Sequence, residues 1–124
     1  MSENRKTSLR KSFGYAFAGI WTCIRQERNM RIHLTAAILV TAAGTLLRIS
    51  VTEWMLCLIL FGLIMSLEMV NTALEAVVDL VTEEYRPLAK KAKDTAAGAV
   101  LISAIMAAVI GLIIFLPKIF AISQ

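Results

Sequence analysis

Two cysteines and one histidine among 124 residues leave little from which to build a metal or redox centre. Cys23 and Cys57 stand 34 residues apart with no CxxC pair, so neither a zinc site nor a thiol redox motif is indicated. Neither GxxxxGK[ST] nor GxGxxG occurs, so both standard phosphate-cradling loops are missing. Charged residues make up only 18% of the chain, against about a quarter in soluble domains. Lys and Arg outnumber Asp and Glu by 13 to 9, yet no soluble basic face accompanies the excess, so nucleic acid is not an expected partner. Met1 to Lys11 is polar and basic, and no apolar h-region with a cleavage site follows it, so no secretory signal is expected. No internal repeat or low-complexity segment is visible.

What is present is apolar. Hydrophobic residues make up 58% of the chain, and the mean hydropathy is +0.72. That content excludes long disorder, and the length excludes a two-domain enzyme. A bilayer span needs about 20 mostly apolar residues, so three spans take about 60 and leave room for loops. A barrel of eight or more strands at about 10 residues each would nearly exhaust the chain. The composition predicts an all-α membrane protein.

Three apolar runs mark the spans. The first, Ile32 to Leu47, holds 16 residues between Arg31 and Arg48. At about 1.5 Å per residue it is shorter than a ~30 Å core, so it must borrow flanking residues such as His33. We assign span 1 to 32–49. The second run starts at Trp54, is uncharged to Leu67, and continues to 81 with Glu68, Asn71, Glu75 and Asp79 inside it. Residues 82–94 form a basic cytoplasmic loop. The third run, Thr95 to Leu116, is closed by Pro117 and Lys118, giving a span over 95–117.

The first 31 residues differ. Leu9, Phe13, Phe17, Ile20 and Ile24 recur at spacings of 4, 4, 3 and 4, and at 100° per residue they occupy an arc about 80° wide. This predicts an amphipathic helix, either lying in the membrane surface or packed on the bundle with its polar face in solvent. Helical extrapolation places Glu27 at about 0° from Leu9, on the apolar stripe. Orientation follows from the cations. Seven precede span 1 (Arg5, Lys6, Arg10, Lys11, Arg25, Arg28, Arg31) and four lie between spans 2 and 3 (Arg86, Lys90, Lys91, Lys93). Only Arg48 and Lys118 lie on the other side. The N-terminus and the 82–94 loop are therefore expected in the cytoplasm, and the C-terminus outside.

The chemistry lies in span 2. With Glu68 at 0°, Asn71 falls at about −60°, Glu75 at about −20° and Asp79 at about +20°. A charged side chain within a span costs about 2.5–3.5 kcal/mol even on the lenient insertion scale. Three carboxylates on one stripe should therefore face protein, water or a metal. The plainer alternative is that Glu75 and Asp79 mark the cytoplasmic end of the helix. Magnesium takes carboxylate oxygens together with substrate phosphates, and the basic loop beside the stripe suits a polyphosphate. The combination points to phosphoryl transfer to a lipid head group, where positioning and charge neutralisation supply most of the catalysis. A small oligomeric proton-coupled transporter is the reading from another class; it accounts for Glu68 but not for the carboxylate and lysine series that follows.

Glu68-Met-Val-Asn71-Thr-Ala-Leu-Glu75-Ala-Val-Val-Asp79, followed by Ala89-Lys90-Lys91-Ala92-Lys93-Asp94-Thr-Ala-Ala-Gly98-Ala-Val-Leu, resembles the small prokaryotic diacylglycerol kinase family. The resemblance covers almost the whole chain. The segment Glu27-Arg28-Asn29-Met30-Arg31-Ile32-His33 and the tail Gly111 to Lys118 look like the Gram-positive branch, whose usual acceptor is undecaprenol.

The resemblance implies an N-terminal surface helix, three transmembrane helices and a homotrimer with composite sites in the plasma membrane. It implies ATP as co-substrate with Mg2+, and undecaprenol or diacylglycerol as the lipid alcohol. Glu68 matches the catalytic base, and Glu27 and Glu75 match metal-binding carboxylates that also contact ATP. Asn71, Asp79, Glu84, Tyr85, Arg86, Lys93 and Asp94 match nucleotide-site positions, as does Tyr15. Asp94 also has a structural alternative, as a cap on span 3. The register places Ser8 where the Gram-negative branch has a basic residue, which leaves Arg10 or Lys11 as the substitute.

Overall fold

A computed structural model describes residues 8–124. Arg5 and Lys6, counted above among the cytoplasmic cations, lie outside the described residues. Four helices follow in order: α1 (Leu9–Gln26), α2 (Arg28–Leu47), α3 (Val51–Val81) and α4 (Pro87–Ser123). The last three are long and apolar enough to cross a membrane. At about 1.5 Å per residue, α2 is about 30 Å long, α3 about 46 Å and α4 about 55 Å. Only α2 matches a ~30 Å hydrocarbon core, so α3 and α4 run beyond it.

Local chemistry explains the helix ends. Ser8 caps α1, accepting the Lys11 N–H at 3.3 Å. α3 starts at Val51, three residues before the apolar run, because Ser50 and Glu53 form a capping box. Ser50 Oγ accepts the Glu53 N–H at 3.1 Å, and Glu53 Oε1 accepts the Ser50 N–H at 2.9 Å. α2 ends on Arg48, at φ 54°, the single non-glycine residue in the left-handed region among those described. The Ile49 N–H then returns to the Gly44 carbonyl at 3.1 Å. Gly44 is needed for space: a Cβ there would lie 2.8 Å from Trp54 Cη2 and 2.9 Å from Ile49 Cδ1.

Four expectations are corrected. The N-terminal segment is not one helix to residue 31: Glu27 is extended, at φ −103° and ψ 116°, and separates α1 from α2. Extrapolating α1 therefore cannot put Glu27 on its apolar stripe. Arg31 holds the joint, its Nη1 donating to the Ile24 and Arg25 carbonyls at 3.2 and 2.7 Å, so that α1's last carbonyls are satisfied. The predicted 82–94 loop is irregular only over 82–86, and α4 begins at Pro87. Proline is preorganised for a helix's first position, and Ala89, Lys90, Lys91 and Ala92 are good helix formers. Asp94 therefore lies inside α4 and does not cap it. Finally, Pro117 does not close the last helix, which continues to Ser123. Proline removes one hydrogen bond, but an apolar environment offers no water to the further groups that a break would expose.

Two ion pairs fix α3 and α4 antiparallel: Lys118–Glu53 at 3.1 Å at one end and Lys93–Asp79 at 2.6 Å at the other. Near the first pair, Ile49, Cys57 and Ile114 form a small core with Val40, Leu47, Trp54, Phe61, Ile110 and Phe115 around it. Most other large apolar side chains, among them Leu58, Ile59, Leu101, Ile102 and Ile113, are exposed. So much outward apolar surface suits lipid or further helices, not water.

Candidate active site

The α3 stripe runs from buried to exposed. Glu68 is 1% exposed and Asn71 6%; Glu75 is half-buried and Asp79 exposed. The i, i+4 spacing brings Asn71 Nδ2 to donate to Glu75 Oε1 at 3.3 Å. Thr72, on the neighbouring side, donates to the Glu68 carbonyl at 2.9 Å and meets Cys23 Sγ at 3.7 Å, which ties α1 to this level of α3. Two buried oxygens, Glu68 Oε2 and Asn71 Oδ1, have no hydrogen-bond partner among the described residues. Such atoms are uncommon in proteins and call for an explanation.

The groups around Glu68 come from α2, from α3 itself and from the joint between α1 and α2. His33 of α2 places Nε2 3.8 Å from Glu68 Oε2. Glu27 and Glu75 are the carboxylates whose charge acts on it, and the Asn29 side chain adjoins it. Glu27 serves α2 as N-cap without spending its carboxylate on a capping bond. Glu27 at the joint and Glu75, two turns along the same face of α3, thus both lie near enough to Glu68 for their charges to act on it.

The remaining candidates divide into two groups. Asp79, Glu84, Tyr85, Arg86, Lys93 and Asp94 surround the α3–α4 connection. All of these except Asp79 line an open cleft of about 390 Å³, together with Thr82, Glu83 and Lys90. Lys93 pairs with Asp79 beside it. Lys90 pairs with Asp94, and Arg86 stands 3.6 Å from Glu84. Tyr15 lies apart, 70% exposed on α1, 12 residues and about 18 Å of helix before the Glu27 joint. A single chain does not bring it into the cleft.

Residues 14–115 match the family model described as prokaryotic diacylglycerol kinase. The chain belongs to that family. The undecaprenol kinase of Bacillus subtilis (strain 168) is 51% identical over 108 residues, covering 87% of this chain and 88% of that protein. The diacylglycerol kinase of Escherichia coli (strain K12) is 32% identical over 103 residues, covering 83% and 84%. The diacylglycerol kinase of Synechocystis sp. (strain ATCC 27184 / PCC 6803 / Kazusa) is 44% identical over 111 residues, covering 89% of this chain and 63% of the longer protein.

For this diacylglycerol kinase family member the donor chemistry can be tested against magnesium. The group around Glu68 is mainly oxygen. Among the described residues no three Asp, Glu, His or Cys side chains form a ready cage for a metal ion. Magnesium usually takes one or two carboxylates and completes its shell with water and phosphate, so Glu27 and Glu75 fit it. His33 and Asn29 were not among the sequence candidates. The available signal was that the one histidine sits at the start of an apolar run, a position with no packing reason to be imidazole.

A second feature adjoins the site. An apolar cavity of about 480 Å³ lies between α2, α3 and α4. His33, Met65 and Ala104 line the end nearest Glu68, and Cys57, Ile110 and Phe115 the opposite end. Thus His33 both lines the cavity and approaches the buried carboxylate.

Proposed function

We propose that this chain is an ATP-dependent lipid kinase that phosphorylates undecaprenol to undecaprenyl phosphate. The observation that carries the reading is that the charges of Glu27 and Glu75 act on Glu68 within an apolar helix bundle, with Glu68 Oε2 and Asn71 Oδ1 buried and unpartnered among the described residues. In an apolar setting such groups need a substrate, a metal or a proton to satisfy them. The choice of undecaprenol rests on the 51% identity to the Bacillus enzyme. The diacylglycerol kinases among the relatives support 1,2-diacylglycerol as the second acceptor. A proton-coupled transporter would use Glu68 but would leave Asp79, Lys93 and the family membership unexplained.

Glu68 takes the proton of the acceptor hydroxyl at the inner membrane interface, and its enclosure excludes water that would compete for the phosphoryl group. Glu27 and Glu75 would hold Mg2+, which when bound neutralises phosphate charge and orients the nucleotide. Asn71, Asp79, Glu84, Tyr85, Arg86, Lys93 and Asp94 bind the nucleotide, with Lys93 facing its phosphates. Tyr15 joins them from α1, which lies in the membrane surface with Leu9, Phe13 and Phe17 toward lipid. The unpartnered Asn71 oxygen and the openness of the cleft support a homotrimer in the plasma membrane, with sites completed by neighbouring subunits. The N-terminus is cytoplasmic and the C-terminus outside.

The test is transfer from MgATP in mixed micelles, comparing undecaprenol with diacylglycerol. Undecaprenol should be phosphorylated faster, EDTA should abolish the reaction, and Glu68→Gln should keep ATP binding while losing transfer by about 10²–10⁴-fold. Faster turnover of diacylglycerol overturns the acceptor assignment. No turnover of either alcohol overturns the kinase.

A further inference from the structure

A base as enclosed as Glu68 has a second problem after it has taken a proton, because it must lose that proton before the next turnover. Its side chain is 2% exposed, and among the described residues no hydrogen-bond donor reaches Oε2. The groups facing it are Glu27 from the helix joint, Glu75 from α3, and His33 and Asn29 from α2. The two glutamates are assigned to the metal, and an amide is not a useful proton acceptor. His33 remains. Its Nε2 is 3.8 Å from Oε2, and its side chain is 20% exposed. A small side-chain rotation would bring the two atoms within hydrogen-bond distance. The unprotonated nitrogen of a neutral imidazole can accept a proton that a carboxylic acid donates.

We propose that His33 is the positioning residue of Glu68 and the acceptor of its proton, completing the path from the buried base to water. The inference rests on the reading of Glu68 as the base. As the acceptor oxygen attacks the γ-phosphorus, its O–H bond breaks, an O–P bond forms, and ADP departs with the electron pair of the old P–O bond. The proton goes to Glu68 Oε2, then to His33 Nε2, and then from the imidazolium to water. Glu68 returns to the carboxylate, and one proton is released per lipid phosphate formed. His33 also lines the apolar cavity, so the acceptor's hydrocarbon and the proton's exit meet at one side chain.

The experiment uses the full chain in mixed micelles with MgATP and whichever alcohol it turns over, comparing His33→Gln, His33→Ala and Glu68→Gln. Both His33 variants should lose kcat by tenfold or more, with KM for ATP within twofold of wild type. Added imidazole should restore His33→Ala severalfold and leave Glu68→Gln inactive. A kcat within twofold of wild type overturns the inference, as does a loss that imidazole does not restore. If His33→Ala fails to fold, His33→Gln decides through its kcat and its solvent deuterium isotope effect, which should rise as the proton step slows. An unchanged isotope effect overturns the inference. Retained transfer in Glu68→Gln would instead overturn the base itself, and its loss beside fully active His33 variants would remove only the role of His33.

Discussion

Lys93 Nζ stands 2.6 Å from Asp79 Oδ1, joining the second turn of α4 to the last turn of α3. Both side chains are about half exposed, so the pair contributes little to stability. Its consequence is position. The lysine assigned to the phosphates is held against the carboxylate stripe instead of being free to sweep solvent, which lowers the entropy cost of meeting a nucleotide. Asp79→Asn should therefore raise KM for ATP severalfold and change kcat less. Lys93→Met should lower kcat/KM by about 100-fold or more, the scale of a lost electrostatic group. Steady-state ADP release checks both, and an unchanged KM in Asp79→Asn would show that the pair does not preposition the lysine.

The cavity between α2, α3 and α4 has small residues on its α4 side, Ala104, Ala107 and Ala108 among them. If the hydrocarbon of the acceptor enters there, Ala107→Phe should raise KM for the lipid alcohol by tenfold or more and leave KM for ATP unchanged. Titrating acceptor at fixed MgATP reads this directly. Equal sensitivity of both KM values would point to general distortion of the bundle.

Far from the carboxylates, Ser50, Glu53 and Lys118 tie the start of α3 to the end of α4. Ser50→Ala should cost about 0.5–2 kcal/mol, the usual loss for an N-cap. Glu53→Gln should lower the melting temperature in detergent through the lost ion pair. Neither should change kcat at a temperature where the protein is folded. Thermal unfolding beside an activity assay separates the two effects, and lost activity in a still-folded variant would contradict this division.

Gly44→Ala should also destabilise. The new Cβ would press on Trp54 and Ile49 at under 3 Å, and overpacking of this kind costs about 1–3 kcal/mol. Trp54→Phe in the same chain should recover part of the loss by removing the atoms in conflict. Failure of that double variant to recover stability would place the cost elsewhere.

Much of this was legible in the residues. A polar stripe at helical spacing, Glu68 to Asp79, reads directly because the α-helical period fixes which side chains share a face, and α3 carries it as one unbroken helix to Val81. Helix ends were less legible. Pro117 and Asp94 carry the local signature of a stop and of a cap, yet both lie inside α4. The signature of Ser50 with Glu53 was present in the sequence, but it competed with an apolar run that begins only at Trp54. Glu27 misled in the other direction: its place on an extended α1 stripe was regular, but the chain turns at that residue.

The sequence by itself determined the class of the protein, its three long apolar helices and the carboxylate stripe, because composition and period are properties of consecutive residues. Only the tertiary structure decided which of those groups meet. It set His33 of α2 beside Glu68 of α3, Lys93 of α4 on Asp79, and Glu27 at a helix joint with its carboxylate uncommitted. Each of these depends on the register between antiparallel helices and on one non-helical residue, and neither is encoded by the spacing within any single segment.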